Sequence, residues 1–595
     1  MMRRIGTAFL AIVILMGVAL GYTYRESAKD ALVDLIGVEA RDQLVGIYLG
    51  LTSRTPNTAD LAPMDNTGLN PFGVNVFLEQ EVEEIQIRRT LQMIKDAGFG
   101  WIKQQVLWDE IEIPEKGEYY DEKNDVDDTW AKWDRIVNLA DEYGLRIIAR
   151  LDGTPQWARP GNPKLETPPD DFADYGDFVY AFVGRYRGKV KHYQIWNEPN
   201  RSFEWGNRPV SAPEYVRLLQ IAYIRAKQAD PDAVILSAAL APTIEVSERA
   251  VNDVIFLQQM YDAGAKNYFD VMSTNPYGLR SGPYDRRLDE EKDVNFSRSM
   301  LIREVMVRNG DENKPIWASE MGWNALPLDF PEEPLFGRVT PQEQARYTVQ
   351  GFRRILEEWP WMGVVNLWHF RRVHAVNQNE QMYYFSLVDR NFNPYPVYEA
   401  VRSLATSSPV AYRGFHQEDH WAVKYGGAWE VRSDPNAALG EYRRSRTSGD
   451  ALSFTFKGTE LELVVRLQET SGRFLVTVDG SPANKLPRDD RGRAYLDLQS
   501  FDDEWQSIVP VAGGLSNGLH EAVLMTAPGD YTSGGDLVWD FDGFVVDVQP
   551  PIVNLLLAPV LSTLLGIAVG WTGGHLVGRR ARTTAGKDRA RGKTR

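Results

Sequence analysis

Two glutamates in this 595-residue chain stand where predicted strands end. Lys191-His192-Tyr193-Gln194-Ile195-Trp196 stops at Asn197-Glu198-Pro199-Asn200, and Pro315-Ile316-Trp317-Ala318-Ser319 stops at Glu320-Met321-Gly322-Trp323. Two carboxyl groups facing each other across a cleft are what glycoside hydrolysis requires: one protonates the leaving oxygen, and the other attacks the sugar or activates water. Taken singly, each has a plainer reading, Glu198 as a helix cap and Glu320 as a surface acid. The triplet Asn-Glu-Pro is too common to separate these readings by itself. The elements that carry the two residues decide.

From about Asn70 to Leu404, short β-branched runs alternate with longer amphipathic stretches, the pattern of a parallel sheet wrapped by helices. Eight strands are expected, at residues 73–77, 101–106, 146–151, 191–196, 234–238, 270–274, 316–319 and 363–368. Helical spacing covers residues 82–97, 130–143, 172–186, 213–228 and 341–358. Eight βα units over residues 70–405 predict an α/β (β/α)8 TIM barrel, whose active site is built at the C-terminal strand ends. The fourth and seventh strands then bring Glu198 and Glu320 to one mouth. A doubly wound open sheet is the alternative, but no Gly-x-Gly-x-x-Gly turn follows the first strand.

Residues 408–548 change texture to short alternating runs separated by Gly, Asp and Asn, as in a jelly-roll-like antiparallel β-sandwich. Its Trp421, Trp429, Trp505 and Trp539 suit a sugar platform or, better, core positions. Residues 26–69 are expected to form a stalk or arm that holds the barrel off a membrane.

With 66 basic and 82 acidic residues the net charge is -16, and 43% of the residues are hydrophobic. That composition buries a core and excludes general disorder. The absence of cysteine removes disulfides, thiolate zinc sites, iron–sulfur clusters and cysteine nucleophiles. An acidic surface also argues against nucleic acid as a partner. Residues 5–22, within an N-terminal segment 1–25, are uncharged and follow two arginines, reading as a membrane anchor or as a signal peptide. Residues 552–577 lack any charge and read as a transmembrane helix, with a buried core helix as the plainer alternative. The basic tail 578–595 is placed in the cytoplasm by the positive-inside rule, which puts the domains outside, in an envelope that fits a prokaryote.

The seven histidines show no metal-ligand spacing, so neither a metal nor a cofactor is expected. Trp108, Trp157, Trp205, Trp323 and Trp368 are expected near the barrel mouth, where flat sugar faces stack on rings, with core packing as the alternative for each. His369 and Arg371 after the eighth strand, and Asp152 at the end of the third, suit either the cleft or a structural role.

The segments Ile195-Trp196-Asn197-Glu198-Pro199-Asn200 and Trp317-Ala318-Ser319-Glu320 resemble the signatures of retaining glycoside hydrolases of clan A, most of all family 39. The resemblance covers residues 70–405 and includes Leu151-Asp152-Gly153-Thr154-Pro155-Gln156-Trp157 and Trp108-Asp109-Glu110-Ile111-Glu112. It implies that Glu198 is the acid/base and Glu320 the nucleophile, with carboxyl groups about 5 to 5.5 Å apart. It further implies that Asn197 binds the sugar 2-hydroxyl and that Tyr277 hydrogen-bonds the nucleophile. The expected function is a membrane-anchored, extracytoplasmic retaining β-glycosidase acting on an envelope or exported polysaccharide. The alternatives are a non-catalytic glycan-binding or assembly protein, and a transglycosylase using the same residues.

Overall fold

The computed structural model describes residues 54–374, 378–529 and 537–549. The elements below belong to one compact unit, Pro56–Pro283 with Arg287–Val548. Eight parallel strands, β1 (Phe72–Val76), β2 (Trp101–Leu107), β3 (Arg146–Asp152), β4 (His192–Ile195), β5 (Val234–Leu236), β6 (Met272–Thr274), β7 (Ile316–Met321) and β8 (Met362–Leu367), pair in the order β5-β4-β3-β2-β1-β8-β7-β6. Parallel bridges Leu236–Val271 and Leu240–Thr274 join β5 to β6 and close the barrel. Around it lie α1 (Glu84–Asp96), α2 (Trp130–Glu142), α3 (Phe172–Arg185), α4 (Ala212–Ala229), α5 (Asp253–Asp262), α6 (Ser299–Arg308), α7 (Pro341–Glu358) and α8 (Pro396–Ala405). The start of α7 illustrates the local logic: Thr340 caps the Glu343 amide, Glu343 reaches back to the Thr340 amide, and Pro341 fills the first turn.

Three helices, α5, α6 and α8, escape the sequence pattern, each being ten residues long. More consequential is the end of β7. Pairing shifts there from Ala318 opposite Val365 to Met321 opposite Leu367, so three residues on β7 span two on β8. Such a bulge re-aims side chains. It makes Glu320 part of the strand rather than the residue after it, and turns Ser319 and Glu320 toward the same interior.

That interior has two layers. Trp101, Ile148, Val234, Leu236, Val271, Trp317 and Val364 form an apolar floor. Above it Asn75, Lys103, Arg150, Gln194, Ser319 and Asn366 are all buried. Asn75 Nδ2 donates to Ser319 O at 3.0 Å and Asn366 Nδ2 to Ala318 O at 2.9 Å. Ser319 Oγ donates to Gln194 Oε1 at 2.9 Å and accepts from Lys103 Nζ. β1, β2, β4, β7 and β8 are thereby cross-linked directly beneath the mouth.

The arm does not stand free in its described part. Thr58 O accepts from Arg303 Nε at 2.9 Å, Asn66 O from Trp317 Nε1 at 2.9 Å, and Gly68 O from Trp421 N at 2.7 Å. Residues 56–69 thus pack onto the barrel, with Leu69 against the apolar floor, because buried indole and guanidinium groups need acceptors.

The C-terminal domain comprises β9 (Gly414–Gln417), β10 (Lys424–Gly426), β11 (Trp429–Ser433), β12 (Glu441–Ser445), β13 (Ala451–Gly458), β14 (Glu460–Leu467), β15 (Arg473–Val478), β16 (Ser481–Pro482), β17 (Tyr495–Asp497), β18 (Glu504–Ala512), β19 (Gly518–Ala527) and β20 (Trp539–Asp547). They form two antiparallel sheets, β10-β13-β19-β15-β16 and β11-β12-β20-β14-β18, with β17 paired to β15 and β9 to β20. Trp539 is buried in the core, Trp429 lies against that core, and Trp421 packs edge-on to Phe72 of the barrel. Trp505 sits under the Arg466 guanidinium at 4.1 Å. Trp539 and Trp429 thus take core positions, whereas Trp505, half-buried, lies outside the core. The predicted membrane segments 5–22 and 552–577 and the tail 578–595 lie outside the described residues. Among the described residues no helix is long and apolar enough to cross a membrane.

His192 packs into the floor, stacked on Trp317 and edge-on to Trp101, and its Nε2 has no partner. Burial, then Lys191 and Arg146, push its pKa from 6.5 down to about 3. Between those values the unfolded chain binds a proton that the folded chain refuses, so stability falls as pH falls, by up to about 1.4 kcal/mol per pH unit. Urea unfolding of His192→Leu is expected to lose roughly 2 kcal/mol less than wild type between pH 7 and pH 5. Equal losses in the two proteins would contradict this account of the floor.

Candidate active site

A cavity of about 690 Å³ opens at the C-terminal strand ends and is lined by both Glu198 and Glu320. Glu198 lies just beyond β4 on a backbone of unusual shape: Trp196 has φ 72° and Glu198 φ 39°. Left-handed values are disfavoured for such side chains and persist where the surroundings over-determine them. Here Trp196 Nε1 donates to Glu204 O at 2.9 Å and Glu198 N to Ala239 O at 3.0 Å. Asn200 clamps the far side, donating to Ala241 O and Val251 O at 2.9 Å each and accepting from Ala241 N at 2.8 Å. Fully buried and doubly bonded, Asn200 has no room for a glycan, although Asn200-Arg201-Ser202 has the acceptor sequence.

The two carboxyl groups have unlike surroundings. Tyr277 Oη donates to Glu320 Oε2 at 2.7 Å. Glu320 Oε1 faces Lys103 Nζ at 3.7 Å and Arg150 Nη1 at 3.8 Å, and has no hydrogen bond among the described residues. Those cations are themselves buried: desolvation pulls Lys103 down to about 8 against the pull of Glu320. Burial would lower Arg150 too, but Asp152, at 2.8 Å, and Glu320 outweigh it. Burial, then Glu320, pushes the Tyr277 hydroxyl well above its ordinary value, so it stays a donor.

Glu198 has less compensation. Asn275 Nδ2 donates to its Oε1 at 2.9 Å, and Arg201, half-exposed, approaches Oε2 at 3.6 Å. Burial and the facing charge of Glu320 push its pKa from 4.5 up to about 7. One carboxyl group is thus set in positive surroundings, with an oxygen lone pair free to attack. The other holds a proton near neutrality and can give it up. That is the division of labour the chemistry needs.

Of the other expected site residues, Asn197, Tyr277 and Trp368 line the cavity, and Trp157 and Trp323 do not. Trp323 is buried on Phe296, with its Nε1 donating to Ser281 O at 2.8 Å. Trp157 meets Trp108 edge-on and donates to Glu112 O at 2.8 Å. Trp108 and Trp205 are fully buried. The rings serve as core because each indole N–H finds an internal acceptor that holds it away from the mouth. Asp152 faces the cavity, held by Gln105 Nε2 at 2.9 Å as well as by Arg150. His369 and Arg371 do not line it: His369 Nε2 meets Met382 O at 3.1 Å, and Arg371 pairs with Glu81.

Lys103, Arg150, Asn275, Arg201 and Glu204 escape the sequence reading. For the first two a signal exists. Buried parallel strands are ordinarily apolar throughout, whereas Lys103 and Gln105 on β2, and Arg150 and Asp152 on β3, repeat at period two. Among the described residues no group of three His, Asp or Glu side chains is placed to hold a metal ion.

Phe203, 53% exposed, and Phe336 line the cavity where tryptophans were expected. Trp323→Ala is expected to destabilise the fold by about 3–5 kcal/mol, as a buried aromatic does. Phe203→Ala is expected to leave unfolding within about 0.5 kcal/mol of wild type and to weaken glycan binding. Urea titration and calorimetry check both; the reverse pattern would restore Trp323 to the mouth.

No family model matches the chain, and no curated protein does. Among solved structures it is similar to a family 39 glycoside hydrolase from Bacteroides cellulosilyticus WH2, at 16% identity and TM-score 0.44, covering 80% of this chain and 83% of that one. It is similar to a family 39 β-xylosidase from Caulobacter crescentus at 14% identity and TM-score 0.41, over 78% and 98% of the two chains. An exo-β-1,4-mannosidase from Opitutaceae bacterium strain TAV5 matches at 16% identity and TM-score 0.41, over 60% and 64%. Likenesses at this level fix neither activity nor substrate.

Proposed function

We propose that this protein is a retaining glycoside hydrolase in which Glu198 is the acid/base and Glu320 the nucleophile. The observation that carries the reading is the pair of cleft carboxyl groups with opposite surroundings, one beside two buried cations and one raised to about 7. Glu320 Oε1 attacks the anomeric carbon while the Glu198 proton passes to the glycosidic oxygen, which leaves with the bonding pair. The result is a glycosyl ester on Glu320. Glu198, now a carboxylate, takes a proton from water as that water attacks the same carbon, which frees Glu320 and returns the proton to Glu198. Asn197 and Trp368 hold the sugar beside the reacting carbon, and Tyr277 fixes the nucleophile. The apolar segment 552–577 and the basic tail support display of the domains outside a membrane, facing an envelope or exported polysaccharide.

Glu320→Gln is expected to lower turnover of defined and native envelope glycans by roughly 10³-fold or more. Undiminished cleavage would overturn the assignment, and saturable binding without cleavage in wild type would make the protein a glycan-holding scaffold. Because the reaction needs Glu198 protonated, kcat/KM is expected to fall as pH rises through about 7. Glu198→Gln should remove that limb while sparing substrates whose leaving groups need no protonation. A profile flat from pH 6 to 9 would contradict the role of Glu198.

A further inference from the structure

Glu198 is bound at one oxygen and approached at the other. Asn275 Nδ2 donates to Oε1 at 2.9 Å, which commits that oxygen as an acceptor and leaves Oε2 to carry the proton that the reaction gives away. The guanidinium of Arg201 stands 3.6 Å from Oε2. Among the described residues this is the only ion pair of Arg201, and its side chain makes no hydrogen bond. Its backbone is nonetheless fixed: Arg201 N donates to Glu198 O at 3.0 Å, and Arg201 pairs across an antiparallel bridge with Ala250. The side chain lines the cavity and is 50% exposed.

The other charged groups around Glu198 sit deeper. Glu320 faces it from β7, Arg150 from β3 and Lys103 from β2, with Tyr277 after β6 and Glu204 on its own loop. Arg150 and Lys103 are buried and engaged by Asp152 and Ser319, so dissolved salt acts on them little. A half-exposed guanidinium differs: its attraction for a carboxylate is weakened by salt. In the first step of the reaction the Oε2–H bond breaks, its electron pair stays on Oε2, and the proton goes to the leaving oxygen. The charge that appears on Oε2 is then beside a cation with no competing partner, which needs to close less than an ångström to make a charge-assisted hydrogen bond.

We propose that Arg201 is a positioning residue that follows the charge on Glu198: it stands off while Oε2 carries its proton and pairs with Oε2 once the proton has passed to the leaving group. The inference rests on the glycosidase reading and names the group that sets the pH range of its acid. By favouring the carboxylate, Arg201 eases proton transfer to the leaving oxygen and lowers the pH at which the acid form is lost. The same pairing makes Glu198 a weaker base towards the water of the second step.

The test uses the full-length protein as wild type, Arg201→Gln and Arg201→Lys. Two readouts follow Glu198: the alkaline limb of kcat/KM for an oligosaccharide that the wild type cleaves, and the carboxylic acid C=O band in infrared difference spectra against the matching Glu198→Gln variant, which needs no turnover. In about 20 mM salt the midpoint of Arg201→Gln is expected to lie about 0.3 to 0.7 pH units above wild type by both readouts, with Arg201→Lys between them. In about 1 M salt the gap is expected to shrink by about half or more. Coincident midpoints at low salt, a midpoint lowered by Arg201→Gln, a gap unmoved by salt, or Arg201→Lys no nearer to wild type than Arg201→Gln would each overturn the proposal. Should Arg201→Gln not fold, Arg201→Met serves in its place with the same expectations. Glu320-dependent cleavage with coincident midpoints leaves the glycosidase reading standing. A salt-sensitive gap in the infrared titration, without cleavage of any glycan, overturns the hydrolase and keeps the pairing.

Discussion

Two carboxyl groups drawn out of water into one cleft repel each other and lose their hydration, so positive charge and donors have to be buried with them. Much of the barrel is arranged around that requirement. Lys103 and Arg150 come from neighbouring strands to within 3.7 and 3.8 Å of Glu320, distances at which charge acts without a hydrogen bond. Oε1 of Glu320 thus gains electrostatic support and keeps its lone pair. Lys103 is in turn held by Ser319, which is held by Gln194 and Asn75. A polar layer that looks out of place in a barrel interior is the support for these cations.

Glu198 shows the complementary solution. Its carboxyl group receives one amide and one distant guanidinium, too little to offset burial, and so retains a proton near neutrality. Its position depends on the left-handed turn at Trp196 and Glu198, over-determined by bonds to Glu204, Ala239, Ala241 and Val251. The bulge in β7 does the same for Glu320 by letting two consecutive side chains face inward. Backbone irregularity on both sides of the cleft sets the approach of the reactive groups.

The alternation of β-branched runs and amphipathic stretches made the eight strands and the fourth and seventh strand ends legible, because hydrophobic periodicity is a local property. Five of the eight helices were readable for the same reason, while α5, α6 and α8, each ten residues long, were not read, although α8 buries a clear apolar face at Val397, Tyr398, Val401 and Ala405. The tryptophans misled at Trp157 and Trp323: residue type reveals affinity for sugar faces, but not whether an acceptor inside the fold has claimed the indole N–H. The bulge at Ser319 and Glu320 leaves no mark in composition, and Asn275 reaches Glu198 across 77 residues of chain. Lys103 and Arg150 escaped the reading, although each repeats at period two with a second polar residue, Gln105 or Asp152, inside an apolar strand, a pattern that signals a polar barrel interior rather than a surface.

In the proposed reaction Glu320 forms a bond to the sugar. The anomer released first reports on that directly, since two displacements at one carbon restore its configuration and a single displacement inverts it. Proton NMR of a β-linked oligosaccharide during cleavage should show the β-anomer of the product first, with the α-anomer growing in by mutarotation. An α-anomer that appears first would mean that water, not Glu320, attacks the sugar, and would contradict the central claim.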